Sequence, residues 1–255
     1  MQGRSVNHPS QCRIFAHRGA NKEAAENTRS AFDKALDYAV DGMETDVQLS
    51  RDEVAVLWHD RFLGKVGLPD KHIDDFDYSQ LRAMNFAAHF APDARHEGIL
   101  SLQEFLDVYR KRCRLLIEIK NREWEPSARH EIKVRQTLDR VGATSDDAIM
   151  VSSFNLDSLI YAHRCRHGFP LVYNLEPEQT LADAQRTLAA HPFLYGLCLP
   201  VENLDEAMVR LLRSHGKCIA VYTCNSDEEI SKALELGVDI LISDVPQKAL
   251  RMRDA

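Results

Sequence analysis

The sequence has no dense run of basic residues, no long apolar segment and no closely paired cysteines. Its formal net charge is -7 over 255 residues, which argues against a nucleic-acid partner because binding a phosphate backbone requires a basic face. No segment approaches the roughly 20 apolar residues of a membrane span, and residues 1–13 lack the apolar stretch of a secretory signal. We therefore expect a cytoplasmic protein that does not insert stably into membranes.

The cysteines are few for the length of the chain and none forms a CxxC pair. Because 44% of the residues are hydrophobic, a chain of this size can build its core without disulfides. Scattered cysteines in such a chain are typical of free thiols in a reducing compartment. The six are Cys12, Cys113, Cys165, Cys198, Cys218 and Cys224.

Short runs rich in Val, Ile and Leu alternate with amphipathic stretches of helical length, a pattern typical of βα units around a parallel sheet. Residues 50–53 are too few to hold the crossover between parallel neighbours, so the segment after them should return as an antiparallel arm. Removing that arm leaves eight strands, which predicts an α/β fold, a TIM-type (β/α)8 barrel. The nine predicted strands are 13–17, 42–48, 54–59, 114–120, 148–152, 170–174, 195–199, 218–223 and 239–243.

The helical pattern also predicts how the rest of the chain is organised. Thr28 should cap a helix over 28–40, whose apolar positions recur at helical spacing. Residues 61–101 break the alternation before the next helix at 102–112, so we predict a small insertion there over the barrel mouth. Residues 1–255 then form one domain, with a short tail after the last strand.

Two carboxylates share one face of the second strand. Glu44 and Asp46 are two residues apart, so their side chains point to the same side while Thr45 points to the other. Adjacent buried carboxylates repel and resist ionisation, which a divalent cation relieves. Oxygen ligands of this kind favour Mg²⁺ or Ca²⁺.

Two further strands end in reactive side chains. Glu118 and Lys120 repeat the same alternation in a later strand, and the first strand ends in His17 and Arg18. The carboxyl ends of barrel strands meet at one rim, where catalytic residues collect in this fold. The sequence therefore predicts that these four side chains lie near Glu44.

The position of a second histidine, His59, depends on how the antiparallel arm turns. If Arg51 and Asp52 form a two-residue turn, His59 lies opposite Glu44, and if the turn is shifted by one residue, His59 lies opposite Asp46. A three-residue turn would send His59 to the other face. Either two-residue register places an imidazole beside the predicted metal ligands.

Each of these residues alone has an ordinary explanation. A single histidine at a strand end is more often a surface group, and two acids can belong to a network of ion pairs. Their convergence on one rim instead predicts displacement at a phosphodiester. There a metal and cations stabilise the phosphoryl oxygens, while one imidazole accepts a proton and the other donates one.

The same residues fall into spaced motifs that resemble the glycerophosphodiester phosphodiesterase family. The early motifs are His17-Arg18-Gly19, Glu26-Asn27-Thr28, Glu44-Thr45-Asp46-Val47, His59-Asp60 and Glu118-Ile119-Lys120. The later ones are Ser152-Ser153-Phe154, Val221-Tyr222-Thr223-Cys224-Asn225 and Ser243-Asp244-Val245-Pro246. The resemblance covers about residues 14–246, and motifs in this order are far more specific than any one of them.

The resemblance implies a role for each matching residue and a divalent cofactor, Mg²⁺ or Ca²⁺. It implies hydrolysis of a small glycerophosphodiester to sn-glycerol 3-phosphate and an alcohol. His17 and His59 would form the acid/base pair, Glu44, Asp46 and Glu118 would bind the metal, Arg18 and Lys120 would hold the phosphate, and Tyr222 would line the glycerol pocket.

The sequence departs from the family pattern at three places. Ala25 replaces a proline, Tyr222 replaces a common tryptophan, and residues 63–67 replace an Arg-Thr-Thr motif. Two alternatives therefore stay open, a lysophospholipase D or sphingolipid phosphodiesterase and a non-catalytic phosphodiester-binding barrel. The oligomeric state is also open, a homo-oligomer included.

Overall fold

Eight parallel strands close into a barrel in the computed structural model, which describes residues 12–91, 94–121, 125–142 and 147–255. Around the barrel the order is β1-β9-β8-β7-β6-β5-β4-β2, and a β1–β2 pairing closes the ring. The predicted TIM-type barrel is confirmed. The strands are β1 (Arg13–His17), β2 (Gly42–Leu49), β3 (Ala55–Leu57), β4 (Arg114–Ile119), β5 (Ile149–Ser153), β6 (Leu171–Asn174), β7 (Gly196–Pro200), β8 (Cys218–Tyr222) and β9 (Ile240–Ser243).

Helices surround the barrel and cover its outer apolar face. Thr28 caps the first of them as predicted, because its side chain accepts a hydrogen bond from the Ala31 amide. The predicted tail after the last strand is a helix instead, begun by Pro246. The α-helices are α1 (Arg29–Asp37), α2 (Tyr78–Ala83), α3 (Leu102–Tyr109), α4 (Ser127–Val141), α5 (Leu156–Cys165), α6 (Leu181–Ala190), α7 (Glu206–Ser214), α8 (Asp227–Glu235) and α9 (Pro246–Arg253).

None of the helices in the described part of the chain combines the length and apolar character that crossing a bilayer requires. All six cysteines carry free thiols.

The barrel interior changes from apolar to polar along the strands. Phe15, Leu116, Met150 and Ile240 belong to an apolar cluster that fills the lower and middle barrel. Two residues further along each strand, alternation brings the next inward side chain, for example His17 after Phe15 and Glu118 after Leu116. Polar side chains therefore collect at the carboxyl end of the barrel, above an apolar floor.

The arm after β2 forms in a register that the sequence analysis did not predict. The pairs Val47 with Leu57 and Leu49 with Ala55 require a three-residue turn, and Glu53 adopts the left-handed φ of 60° that such turns use. Both predicted two-residue registers are therefore wrong. The strand ends at Leu57, before His59, so alternation along β3 does not decide where that histidine points.

The chain between β3 and α3 builds a small apolar cluster of its own. Trp58 is its largest side chain and meets Phe86 edge to face, with 5.2 Å between the ring centres. This is the segment predicted as an insertion, and it contains the short 3-10 turns Gly64–Val66 and Ile73–Asp75 as well as α2. The cluster consists of Val56, Trp58, Leu63, Ile73, Leu81, Phe86 and Ile99.

Candidate active site

A cavity of about 110 Å³ opens at the carboxyl end of the barrel strands. Seven of the eight predicted site residues line it, and the eighth, Asp46, contacts two of the others. The full lining is His17, Arg18, Glu44, His59, Leu116, Glu118, Lys120, Ser152, Phe154, Asn174, Cys198, Tyr222 and Ile242. The structure thus places the whole predicted set together, while their individual roles remain predictions.

Three buried carboxylates form the centre of the site. Glu44, Asp46 and Glu118 each offer an oxygen, and these oxygens lie within 4.8 Å of one another. Among the described residues, Glu44 Oε2 has no hydrogen-bond partner. Burial, with the neighbouring Asp46 carboxylate, raises the pKa of Glu44 well above its usual range. A buried set of oxygen donors in which two atoms, Glu44 Oε2 and Asp46 Oδ1, lack a hydrogen bond fits a hard divalent cation.

Asp46 is the most strongly held of the three. Its Oδ2 lies 3.1 Å from Arg18 Nε and accepts a hydrogen bond from Asn27 Nδ2 at 3.0 Å, while its Oδ1 lies 3.4 Å from Lys120 Nζ. Burial alone would raise the pKa of Asp46, but the Arg18 and Lys120 cations lower it well below its usual range. Asp46 is therefore ionised at neutral pH.

His17 is oriented by a carboxylate from the other end of the chain. Its Nδ1 lies 2.6 Å from Asp244 Oδ1, and Asn21 and Asn225 also donate to the Asp244 carboxylate. Because a carboxylate accepts, Nδ1 carries the proton and Nε2 faces Glu44 Oε2 at 3.9 Å. Burial lowers the pKa of His17 despite the Asp244 bond, which favours the neutral ring.

His59 reaches the cavity although it lies beyond the end of β3. Gln48, an inward residue of β2, donates to the backbone carbonyls of Trp58 at 2.8 Å and Asp60 at 3.0 Å. These bonds fix the chain where it leaves the strand, so that His59 lines the cavity. Its Nδ1 lies 2.9 Å from Asp60 Oδ1, so both histidines are held by an aspartate.

The turn after β1 sets the position of Arg18. Arg18 and Gly19 both have positive φ angles, 56° and 82°, and the Arg18 amide donates to the Glu44 carbonyl at 3.0 Å. A Cβ at Gly19 would lie 2.6 Å from the backbone of Ala31, so only glycine fits there. The tight turn directs the guanidinium towards Asp46 and Glu26.

Lys120 and Tyr222 lie on the side of the cavity that contains Phe154. Lys120 Nζ is 2.6 Å from Glu118 Oε1 and 5.6 Å from the centre of the Phe154 ring. Tyr222 meets Phe154 edge to face at 5.8 Å, and its hydroxyl donates to the Leu175 carbonyl at 2.6 Å. Two aromatic rings and an ammonium group therefore line this side of the cavity.

Sequence reasoning gave no role to several residues that shape the site. Asp244 could have been found, because it follows the last barrel strand and so ends at the same rim as His17. Gln48 and Lys65 had no such signal, since their contacts depend on the path of the chain after β3. Asp60 and Glu26 belong to the family motifs, but their contacts could not be deduced from spacing.

Comparison with known proteins decides the family. A family model described as the glycerophosphoryl diester phosphodiesterase family matches residues 17–248. The chain belongs to this family. It is 28% identical over 253 residues to a glycerophosphodiester phosphodiesterase of Bacillus altitudinis, covering 95% of this chain and 98% of that protein. It is 37% identical over 226 residues to an uncharacterized protein of Mycoplasma genitalium, covering 87% and 90%.

Solved structures of phosphodiesterases share the fold. A phosphodiesterase of Oleispira antarctica, in complex with the product sn-glycerol-3-phosphate, has a TM-score of 0.84 at 24% identity over 95% of this chain and 97% of that one. A glycerophosphodiester phosphodiesterase of Thermotoga maritima has a TM-score of 0.75 at 26% identity over 96% and 99%. The predicted family and enzyme class, a phosphoric diester hydrolase, are confirmed.

Proposed function

We propose that this chain hydrolyses glycerophosphodiesters to sn-glycerol 3-phosphate and an alcohol, with Mg²⁺ or Ca²⁺ held by Glu44, Asp46 and Glu118. The observation that carries the proposal is a buried carboxylate triad in the same cavity as two aspartate-held histidines. When bound, the cation would stabilise negative charge on the phosphoryl oxygens. The product complex of the Oleispira neighbour supports the identity of the product.

Arg18 and Lys120 bind the phosphate of the substrate. Both side chains line the cavity and both contact Asp46, so they are fixed before substrate arrives. Cations held in place by a buried carboxylate need little reorganisation when charge develops on the phosphoryl group. On this view they stabilise the transition state as well as the bound diester.

The two histidines divide the proton transfers. His17, whose Nε2 faces Glu44 of the carboxylate triad, accepts a proton from the attacking oxygen as the new phosphorus–oxygen bond forms. The attacking oxygen belongs either to water, which gives sn-glycerol 3-phosphate directly, or to the substrate's own hydroxyl, in which case water then opens the cyclic phosphate. His59, whose Nδ1 is held by Asp60, gives a proton from Nε2 to the leaving alcohol oxygen, which takes the electron pair of the broken phosphorus–oxygen bond. His59 suits this role because it lines both the central cavity and an adjoining one of about 290 Å³.

The wall formed by Tyr222 and Phe154 accommodates the glycerol end of the substrate. The aromatic rings offer apolar faces to the carbon atoms, and the Tyr222 hydroxyl is engaged by the Leu175 carbonyl. This hydrogen bond fixes the ring orientation. The tyrosine therefore acts as a rigid surface rather than as a proton donor.

One observation argues against the lipid alternative. An enzyme for lysophospholipids or sphingolipids needs an apolar mouth for a lipid tail, and four apolar residues of the insertion, Phe86, Phe90, Ile99 and Leu100, are candidates for it. Three of them, Phe86, Ile99 and Leu100, are buried, so that Phe62 and Phe90, each 38% exposed, are the only large apolar side chains exposed in the described part of the insertion. A soluble diester therefore fits the structure better.

A panel of substrates tests the proposal. Purified protein is stripped with EDTA and assayed for glycerol phosphate release from glycerophosphocholine, glycerophosphoethanolamine and lysophosphatidylcholine, with Mg²⁺, Ca²⁺ or Mn²⁺ restored. We expect metal-dependent release from the soluble diesters, lowered about 100-fold or more by His17→Ala and unchanged by His215→Ala, at an exposed residue that follows α7. Binding without product would instead support a non-catalytic barrel, and micelle-dependent turnover would support the lipid enzyme.

A further inference from the structure

Lys65 lies in the part of the chain that departs from the family pattern. It belongs to the short 3-10 turn Gly64–Val66, just after the His59-Asp60 motif. Its side chain is 32% exposed, and its ammonium group lies 5.8 Å from the centre of the Trp58 ring. Trp58 is buried within the apolar cluster after β3, so the ring that the ammonium group approaches is fixed in place.

The ammonium group of Lys65 connects two carboxylates that hold active-site residues. Lys65 Nζ donates to Glu26 Oε1 at 2.7 Å and lies 3.0 Å from Asp60 Oδ2. The other oxygen of Glu26 accepts from Arg18 at 3.1 Å. The other oxygen of Asp60 contacts the His59 imidazole at 2.9 Å. Each carboxylate thus uses one oxygen for the lysine and the other for a residue of the cavity wall.

The local charges show why a cation is needed at this position. Oxygens of Glu26 and Asp60 and a ring nitrogen of His59 lie within 4.8 Å of one another. Two carboxylates at this separation repel when ionised, and a repelled Asp60 would carry the His59 ring with it. Glu26 and Asp60 raise the pKa of Lys65 against the lowering effect of its burial, so the ammonium form persists between them.

We propose that Lys65 is a positioning residue for the reaction, which keeps Asp60 in place so that His59 can protonate the leaving alcohol. The inference rests on the proposed function, because it assumes that His59 is the acid. It adds a residue outside the set that contacts the substrate. It also gives the segment after β3 a part in the chemistry, since the lysine comes from that segment.

The leaving group provides the readout. An alkoxide leaves a phosphodiester poorly without a proton, whereas nitrophenolate is a stable anion and leaves without one. We compare glycerophosphocholine with the nitrophenyl diester of the same glycerol phosphate. Lys65→Met should lower kcat on glycerophosphocholine on the order of 10- to 100-fold and on the nitrophenyl diester by less than about 3-fold, with KM unchanged for both.

Matched variants separate this role from a loss of folding. Lys65→Arg keeps a cation between the carboxylates and should restore most of the activity. Lys71→Met removes an exposed lysine of the same segment and should behave as the parent protein does. If Lys65→Met does not fold, Lys65→Gln replaces it, because it keeps a polar side chain of similar length but removes the charge between the carboxylates, and it should show the same selectivity for the leaving group.

A double variant tests whether Lys65 acts on catalysis through His59. His59→Ala should itself be selective for the leaving group, and Lys65→Met in that background should add no further selectivity. Equal losses on both diesters in Lys65→Met, beside a selective loss in His59→Ala, would overturn the inference alone. Equal losses in His59→Ala would overturn the acid role of His59 in the proposed function, and this inference with it.

Discussion

Each histidine of the site is held through Nδ1 by one aspartate, but the two aspartates differ in their surroundings. Asp244 receives hydrogen bonds from Asn21 and Asn225 in addition to His17. Burial alone would raise its pKa, yet the bond to His17 and the other donors lower the pKa of Asp244 below its usual range. The group therefore stays a carboxylate and keeps the Nδ1 proton of His17 directed at itself.

Replacing that carboxylate by an amide tests the orientation of His17. Asp244→Asn cannot accept from His17, Asn21 and Asn225 together, so the ring loses its fixed tautomer. We expect kcat for a glycerophosphodiester to fall by about 100- to 10,000-fold, as for other histidines that lose an orienting carboxylate. Asp227→Asn makes the same chemical change at a surface residue of α8 and serves as the control. Full activity in Asp244→Asn would contradict this account of His17.

At the scale of elements, helix α4 fastens the ends of the two strands that carry the carboxylate triad. Arg129 donates to the carbonyls of Leu49 at 2.9 Å and Ser50 at 2.8 Å, just where β2 ends. Lys133 is fully buried and donates to the Lys120 carbonyl, just after β4, at 2.5 Å. One helix thus binds the chain beside Asp46 and beside Glu118, which fixes the separation of the two strand ends.

The buried lysine of α4 is accordingly expected to contribute to stability. Lys133 is also ion-paired to Glu125 at 2.9 Å, and removing one partner of a buried pair leaves the other without its counter-charge. We expect Lys133→Met to lower the free energy of unfolding by about 3 kcal/mol, measured by urea denaturation. Arg135→Met, on the exposed face of the same helix, should change it by less than about 0.5 kcal/mol. Similar values for the two variants would mean that the buried contacts of Lys133 do not stabilise the fold.

At the scale of the whole molecule, closure of the barrel brings like charges together in its interior. The pairing of β1 with β2 sets His17 beside Glu44, and the pairing of β2 with β4 sets Asp46 beside Glu118. Hydrogen bonding between strands therefore forces three carboxylates into one buried volume. Folding without a cation has to overcome their mutual repulsion and their loss of hydration.

A divalent cation should therefore stabilise the entire fold. We expect Mg²⁺ or Ca²⁺ at about 100 times its dissociation constant to add about 2.7 kcal/mol, which raises Tm by about 5 to 10 °C for a chain of this size. Calorimetry with EDTA and then with each cation, at constant ionic strength, measures the shift. Glu44→Gln should reduce the shift while leaving the metal-free protein at least as stable. An equal shift in that variant would exclude Glu44 as a ligand.

The sequence by itself determined the barrel and much of its rim. Strand alternation has a period of two residues and is a local property, so it correctly placed Glu44 with Asp46 and Glu118 with Lys120 on inward faces. The number of strands and the short link at residues 50–53 were enough to predict the closed topology with one antiparallel arm. Helical spacing likewise predicted α1 and its Thr28 cap.

Only the tertiary structure decided which groups hold the two histidines. Asp244 lies 227 residues from His17, and the two meet because β1 and β9 are neighbours in the closed barrel. His59 reaches the cavity through bonds from Gln48 to a chain that has already left its strand, a route that the predicted turn did not contain. Lys65 contacts both Glu26 and Asp60 for the same reason. Periodicity describes one element at a time, whereas these contacts depend on where separate elements end relative to one another.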